Sequence, residues 1–224
     1  VPAEAAGSGA VGGAGGAGGA SCGPFSSGEF EEPRPNGSVG GAQHIVVSVL
    51  ASTDDAEERV GSTAVDVLSS DLELVRDEYE HRGDQLIGIR FANLPIPRGA
   101  IVHEARLYGR VDDDGDDSEC TALQIQVEDA GDARTFRAAP GDISGRPRRA
   151  ESVSWFPRPW KPRLTVRTPD LSRLVHGIIN RPDWNEGNAI VFVISGEGRR
   201  VIEAFDSRAD ELPSVPSRLE VFFK

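Results

Sequence analysis

Methionine is missing from all 224 residues, including position 1, and lysine occurs only at Lys161 and Lys224. A chain that begins at Val1 reads as a processed product or a fragment. Cysteine is limited to Cys22 and Cys120, and no Cys-x-x-Cys pair is present to support dithiol redox or thiolate metal chemistry. No apolar run approaches the ~18–20 residues that a membrane-spanning helix requires. Positive charge is scarce: 24 basic against 36 acidic side chains give a net charge of −12. Phosphate backbones are bound by clustered positive charge, so no nucleic-acid partner is expected. There is no Gly-x-Ser-x-Gly elbow, no phosphate loop and no dinucleotide fingerprint. His44, His81, His103 and His176 are scattered without metal-ligand spacing. These absences point away from an enzyme.

What is present divides into two parts. Residues 1–42 are rich in Gly, Ala and Pro, and such a stretch buries too little surface to offset its backbone entropy. It reads as a flexible tail or linker, and residues 43–224 as one domain. In the second part short apolar runs alternate with turn signals. His44–Ser52 and Ala189–Ser195 read as mostly buried strands, and Gln85–Phe91 places Ile87, Ile89 and Phe91 on one face by period two. Ala105, Leu107, Gly109 and Val111 alternate with polar residues, as do Leu123, Ile125 and Val127, which predicts a hairpin across the acidic turn between them. Ala64–Leu68, Leu72–Val75, Val201–Phe205 and Leu219–Phe223 are further strands.

One segment follows a different period. Leu171, Leu174, Val175, Ile178 and Ile179 fall at i, i+3, i+4, i+7 and i+8, the spacing of a helix face. Thr168 suits the N-cap, Pro169 the first helical position and Asp170 the positive end of the dipole, which predicts about three turns. Many short strands with one short helix predict an all-β fold, an antiparallel two-sheet β-sandwich of jelly-roll type.

Charge is unevenly distributed. Residues 43–133 hold 21 acidic and 7 basic side chains, while residues 134–200 hold 6 acidic and 13 basic. Within the basic region, Arg146, Arg148, Arg149 and Arg158 are interleaved with Trp155 and Trp160. Guanidinium forks bind carboxylate or sulfate bidentately and indole faces stack on sugars. Arg148, Arg149, Trp155, Arg158 and Trp160 therefore form a candidate surface for an acidic polysaccharide. The alternative is a loop whose arginines pair with the acidic half and whose tryptophans belong to the core.

The acids suit a hard cation, which takes six to eight oxygens from carboxylates and carbonyls on loops. Asp54, Asp55 and Glu57 follow the first strand, Asp71 and Glu73 open a later one, and Asp206 ends the penultimate one. If the first and last strands are neighbours, these six converge on one calcium site. The run DDDGDDSE (112–119) is more acidic still, but its placement about Gly115 puts Arg110 and Thr121 where an EF-hand needs carboxylates. In an extracellular chain Cys22 and Cys120 would form a disulfide, within the chain or to other chains. Asn36-Gly37-Ser38 is an N-glycosylation sequon.

The stretch LIGIRFANLPIPRGAIVHEARLYGRV (86–111) resembles the strand–turn–strand core of DNRLRE-type jelly-roll modules, through Ile89-Arg90-Phe91, Leu94-Pro95, Gly99-Ala100, Ile101, Ala105 and Leu107. TPDLSRLVHGIINRPDWNEGNAIVFVI (168–194) and the segments at 205–208 and 216–222 resemble later parts of the same pattern. The resemblance covers most of residues 45–223 and implies a secreted or surface-anchored, non-catalytic module. Some relatives bind acidic polysaccharides such as alginate, and calcium-stabilised jelly rolls are common among similar modules. The expectation is thus an extracellular, calcium-stabilised module for acidic polysaccharide. The other reading is a structural subunit of a filament or sheath that self-associates through its Gly/Ala-rich tail.

Overall fold

The computed structural model describes residues 24–39, 41–62, 64–78, 83–112, 120–207 and 213–224. The strands are β1 (Gly37–Val39), β2 (Ala42–Ser48), β3 (Asp55–Arg59), β4 (Val65–Asp66), β5 (Asp71–Glu73), β6 (Arg76–Asp77), β7 (Gly83–Phe91), β8 (Val102–Arg110), β9 (Ala122–Val127), β10 (Val153–Trp155), β11 (Thr165–Arg167), β12 (Ile190–Glu197), β13 (Val201–Glu203) and β14 (Arg218–Phe223). A helix, α1 (Ser172–Ile179), precedes β12. One sheet runs β1-β2-β14-β8-β11; the facing sheet runs β10-β9-β12-β7-β3-β4, with β6 paired to β7; β13 and β5 form a two-stranded ribbon. All pairings are antiparallel, so the fold is an all-β sandwich.

Period-two alternation explains the core. Ile87, Ile89 and Phe91 of β7 meet Ile125 and Val127 of β9 and Ile190, Phe192 and Ile194 of β12; opposite them stand Ala105 and Leu107 of β8 and Leu219 and Val221 of β14. Burying each large aliphatic or aromatic side chain contributes roughly 1.5–3 kcal/mol. A second, smaller cluster lies on the outer face of the β7 sheet, where Phe136 packs over Gly88. A Cβ there would come within 2.4 Å of the Phe136 ring, so only glycine admits this contact.

β8 and β9 do not form the hairpin that their alternation suggests. β8 pairs with β14 and β11, and β9 with β12 and β10, in different sheets. The two apolar faces meet across the core instead of side by side, and alternation alone does not select a strand's partner. The helix face is as expected, with Leu174, Val175, Ile178 and Ile179 buried, but the helix starts at Ser172 and spans just over two turns. Thr168 is no cap: its Oγ1 accepts from Leu107 N–H at 3.1 Å. Asp170 Oδ1 accepts from the Ser172 and Ala105 amides, both at 3.0 Å, and so ties the helix start to β8.

The boundary expected at Gln43 lies too late, because residues 24–39 form a strap on the sandwich. Ser26 N–H donates to Phe156 O at 3.1 Å, Phe30 bridges Val166, and β1 pairs with β2. Glu29 is only 3 % exposed and accepts from Arg158 N–H at 3.0 Å and from the Trp160 indole at 3.2 Å. Backbone bonds and carboxylates hold this segment, with little hydrophobic periodicity to reveal it. Residues 1–23 lie outside the described residues.

Candidate cation site and ligand surface

β3 carries the acids of the first candidate loop into the sandwich. In an antiparallel pair, directly opposed residues share a face. Asp55 lies opposite Ile89 and Glu57 opposite Ile87, both core-facing, so these two carboxylates point inward near the sheet edge. Ala56 and Glu58 point outward, where Glu58 accepts from the Ile143 and Ser144 amides at 2.7 and 2.8 Å. The β5–β13 ribbon covers the inward acids. Asp55 Oδ2 accepts from Phe205 N–H at 2.8 Å, and Glu57 Oε1 accepts from Glu73 N–H at 2.7 Å.

The electrostatics are those of carboxylates crowded together. Burial pushes Asp55 up to about 7, and Asp206 and Asp54 add to the shift against the Phe205 amide. Burial also holds Glu57 well above the ordinary range, with Glu73 and Asp71 acting in the same direction. Glu73 is raised, again first by burial, with Asp71 and Asp77 contributing. The neighbouring charges that push these three groups further up are carboxylates. A cavity of about 380 Å³ adjoins them, lined by Asp66, Asp71, Glu73, Asp77, Ser69, Ser70 and Arg199.

The six expected ligands do not meet as one cage. Glu57, Asp71 and Glu73 come together beside the cavity, and Asp55 comes to Asp206, which has one buried oxygen, Oδ2, without a hydrogen-bond partner. Asp54 is drawn away by Arg90, whose Nη1 lies 2.5 Å from its Oδ1, so it is removed from the set. Among the described residues, no group of three or more acidic, imidazole or thiolate side chains is placed to hold a metal ion. Asp77, absent from the expected set, is 3 % exposed and lines the cavity; its signal is the Asp71-x-Glu73…Asp77 spacing on consecutive short strands.

The Arg/Trp surface is corrected more sharply. Trp155 is 3 % and Trp160 0 % exposed, and their rings lie 5.7 Å apart in the core. Neither offers a stacking face, because the strap covers them and Glu29 takes the Trp160 indole proton. Arg146 is buried between Glu128 and Asp142, at 2.8 and 2.9 Å. Arg149 lies 3.6 Å from Asp129 and 3.4 Å from Glu151. Arg148 is half-buried, and its backbone bridges Glu128. Arg158 is exposed, with its guanidinium 5.7 Å from the Phe25 ring centre. Phe25, itself 43 % exposed, is the aromatic that stands beside Arg158 in place of the tryptophans.

Cys120 is not a free thiol, and Cys22 lies outside the described residues. Asn36 is exposed, and its Oδ1 accepts from Val46 N–H at 2.5 Å. No helix among the described residues is long and apolar enough to cross a membrane. No protein-family model matches the chain, and no curated protein is similar to it.

Proposed function

We propose that this chain is an extracellular, non-catalytic β-sandwich module that is stabilised by calcium and binds acidic polysaccharide. The observation that carries the reading is the group Asp55, Glu57 and Glu73: buried carboxylates that burial, and other carboxylates close by, push above the ordinary range. Burying a charge is expensive unless it is paired or coordinates a metal. A calcium ion entering from the acidic cavity would be held by Glu57, Asp71 and Glu73, with Asp77 beside them. It would offset the burial cost, and the repulsion added to it, that hold Glu57 and Glu73 above the ordinary range. Asp55 and Glu57 are each 3 % exposed, which favours a structural over a catalytic role for them. The extracellular assignment is supported by the engaged Cys120 and the exposed sequon asparagine. The resemblance to DNRLRE-type modules agrees with both.

For the polysaccharide, recognition would rest on guanidiniums rather than indoles. Arg158 with Phe25 replaces the tryptophan platform, and Arg148 and Arg149 supply further forked donors. Binding to immobilised alginate, with a neutral glucan as control, tests this. Arg158→Ala and the pair Arg148→Ala with Arg149→Ala should each weaken alginate binding and leave the melting temperature nearly unchanged. Equal binding by these variants, or preference for the glucan, would favour the second reading, a structural subunit. That reading is supported by the strap, which fastens the chain after the Gly/Ala-rich stretch to the sandwich at Glu29, Phe30 and β1.

A further inference from the structure

A second buried ionisable group lies far from the acidic cavity, where the strap meets the β1-β2-β14-β8-β11 sheet. His44 of β2 is 2 % exposed, and its ring stacks on Phe222 with centres 4.2 Å apart. Its Nδ1 is 2.9 Å from the carbonyl oxygen of Pro35, and its Nε2 is 2.9 Å from Glu220 Oε1. A carbonyl only accepts, so Nδ1 carries a hydrogen. Glu220 already accepts from Arg34 N–H at 3.0 Å through Oε1 and from the Tyr108 hydroxyl at 2.5 Å through Oε2. With Glu220 ionised its oxygens only accept, and Nε2 then carries a hydrogen as well. A ring with both nitrogens donating is an imidazolium.

We infer that the His44–Glu220 pair is a pH-operated clasp for the strap, closed while the imidazole holds both protons and released when it loses one. The proton that leaves goes to solvent. The neutral ring keeps either the Pro35 or the Glu220 bond, and if it keeps Pro35 the Nε2 lone pair faces a carboxylate oxygen. Both acceptors serve the strap: Pro35 belongs to it, and Glu220 binds the Arg34 amide.

Charged and titratable groups face the ring from each element packed against it. From β14 come Glu220 and Phe222, and from the strap comes Arg34, whose guanidinium lies 5.3 Å from the Phe222 ring centre. From β8 comes Tyr108, which burial and its bond to Glu220 push up to about 12, so it stays protonated. Arg167 of β11 acts on Tyr108 and pairs with strap residue Glu31 at 2.6 Å. Glu104 of β8, in register with Phe222, is bound by Arg106 at 2.5 Å.

The test is NMR on the full chain from about pH 5.5 to about pH 9, spanning the ordinary imidazole titration. At the acid end, the two ring nitrogens of His44 should both show imidazolium shifts. Across the titration, exchange protection of the Arg34 and Gly37–Val39 amides should fall roughly ten- to a hundredfold, the scale of a hydrogen bond to a charged group. Phe192 at the sheet centre should keep its protection. In His44→Gln, the amide can still donate to Glu220 but does not titrate, so strap protection should become independent of pH. A neutral His44 at the acid end with a protected strap would overturn the inference. So would the same pH response in His44→Gln. If that variant does not fold, the wild-type ring shifts and strap protection decide alone.

Discussion

Replacing Asp55 by Asn removes a charge that the folded protein holds at a cost, so the variant should be more stable than the parent when no calcium is present. The carboxyl is 3 % exposed, and its folded pKa lies at about 7 against an ordinary 3.8. For an acid raised by folding, the unfolded chain gives up the proton first. Stability therefore falls as pH rises from about 4 to about 7 and then levels off. A shift of about three units corresponds to roughly 4 kcal/mol, which is a ceiling on the loss from this one group. Asn keeps an oxygen to accept the Phe205 amide and carries no charge. In chelator, Asp55→Asn should match the parent near pH 4. At pH 8 it should melt higher by about 5–15 °C, given the few degrees per kcal/mol expected of a chain of this size. Urea unfolding over the same range should give the same sign. A variant less stable than the parent at pH 8 in chelator would refute the argument from burial and like-charge crowding.

Other outcomes follow from the same geometry. Trp160→Phe keeps the packing but leaves Glu29 without its indole donor. It should cost about 1–3 kcal/mol in urea unfolding without changing polysaccharide binding, since the ring is buried. Thiol titration of freshly isolated protein under denaturing, non-reducing conditions should find no reactive cysteine, and two reactive thiols would contradict the disulfide and the extracellular assignment.

The strands with hydrophobic faces were legible in the sequence. Gln85–Phe91 falls within β7, and the buried stripe of α1 is the one its spacing gives. β3 was hidden because its inward positions are Asp55 and Glu57. A strand with carboxylates on its core face has no hydrophobic alternation and reads as an acidic loop. Ion pairing decides which of these acids stay together: Arg90 claims Asp54, a contact across 36 residues that no local pattern encodes. The burial of Trp155 and Trp160 is illegible in the sequence for a related reason. Pro and Arg surround them, so their neighbours look exposed, while the burying elements are the strap and the sheet core. The strap itself is held by Glu29 and by backbone bonds to Phe156 and Val166, which leave no periodic trace.

The central claim is that calcium occupies the space beside Glu57, Asp71 and Glu73, and the most direct measurement is the melting temperature at pH 7.5 in chelator and in millimolar calcium. Binding to the native state alone stabilises by about 2.7 kcal/mol when the ion stands at a hundred times its dissociation constant. The melting temperature should therefore rise by roughly 5–10 °C, a rise lost in a variant carrying Glu57→Gln and Glu73→Gln. Identical melting curves with and without calcium, together with no metal by elemental analysis of the isolated protein, would contradict it.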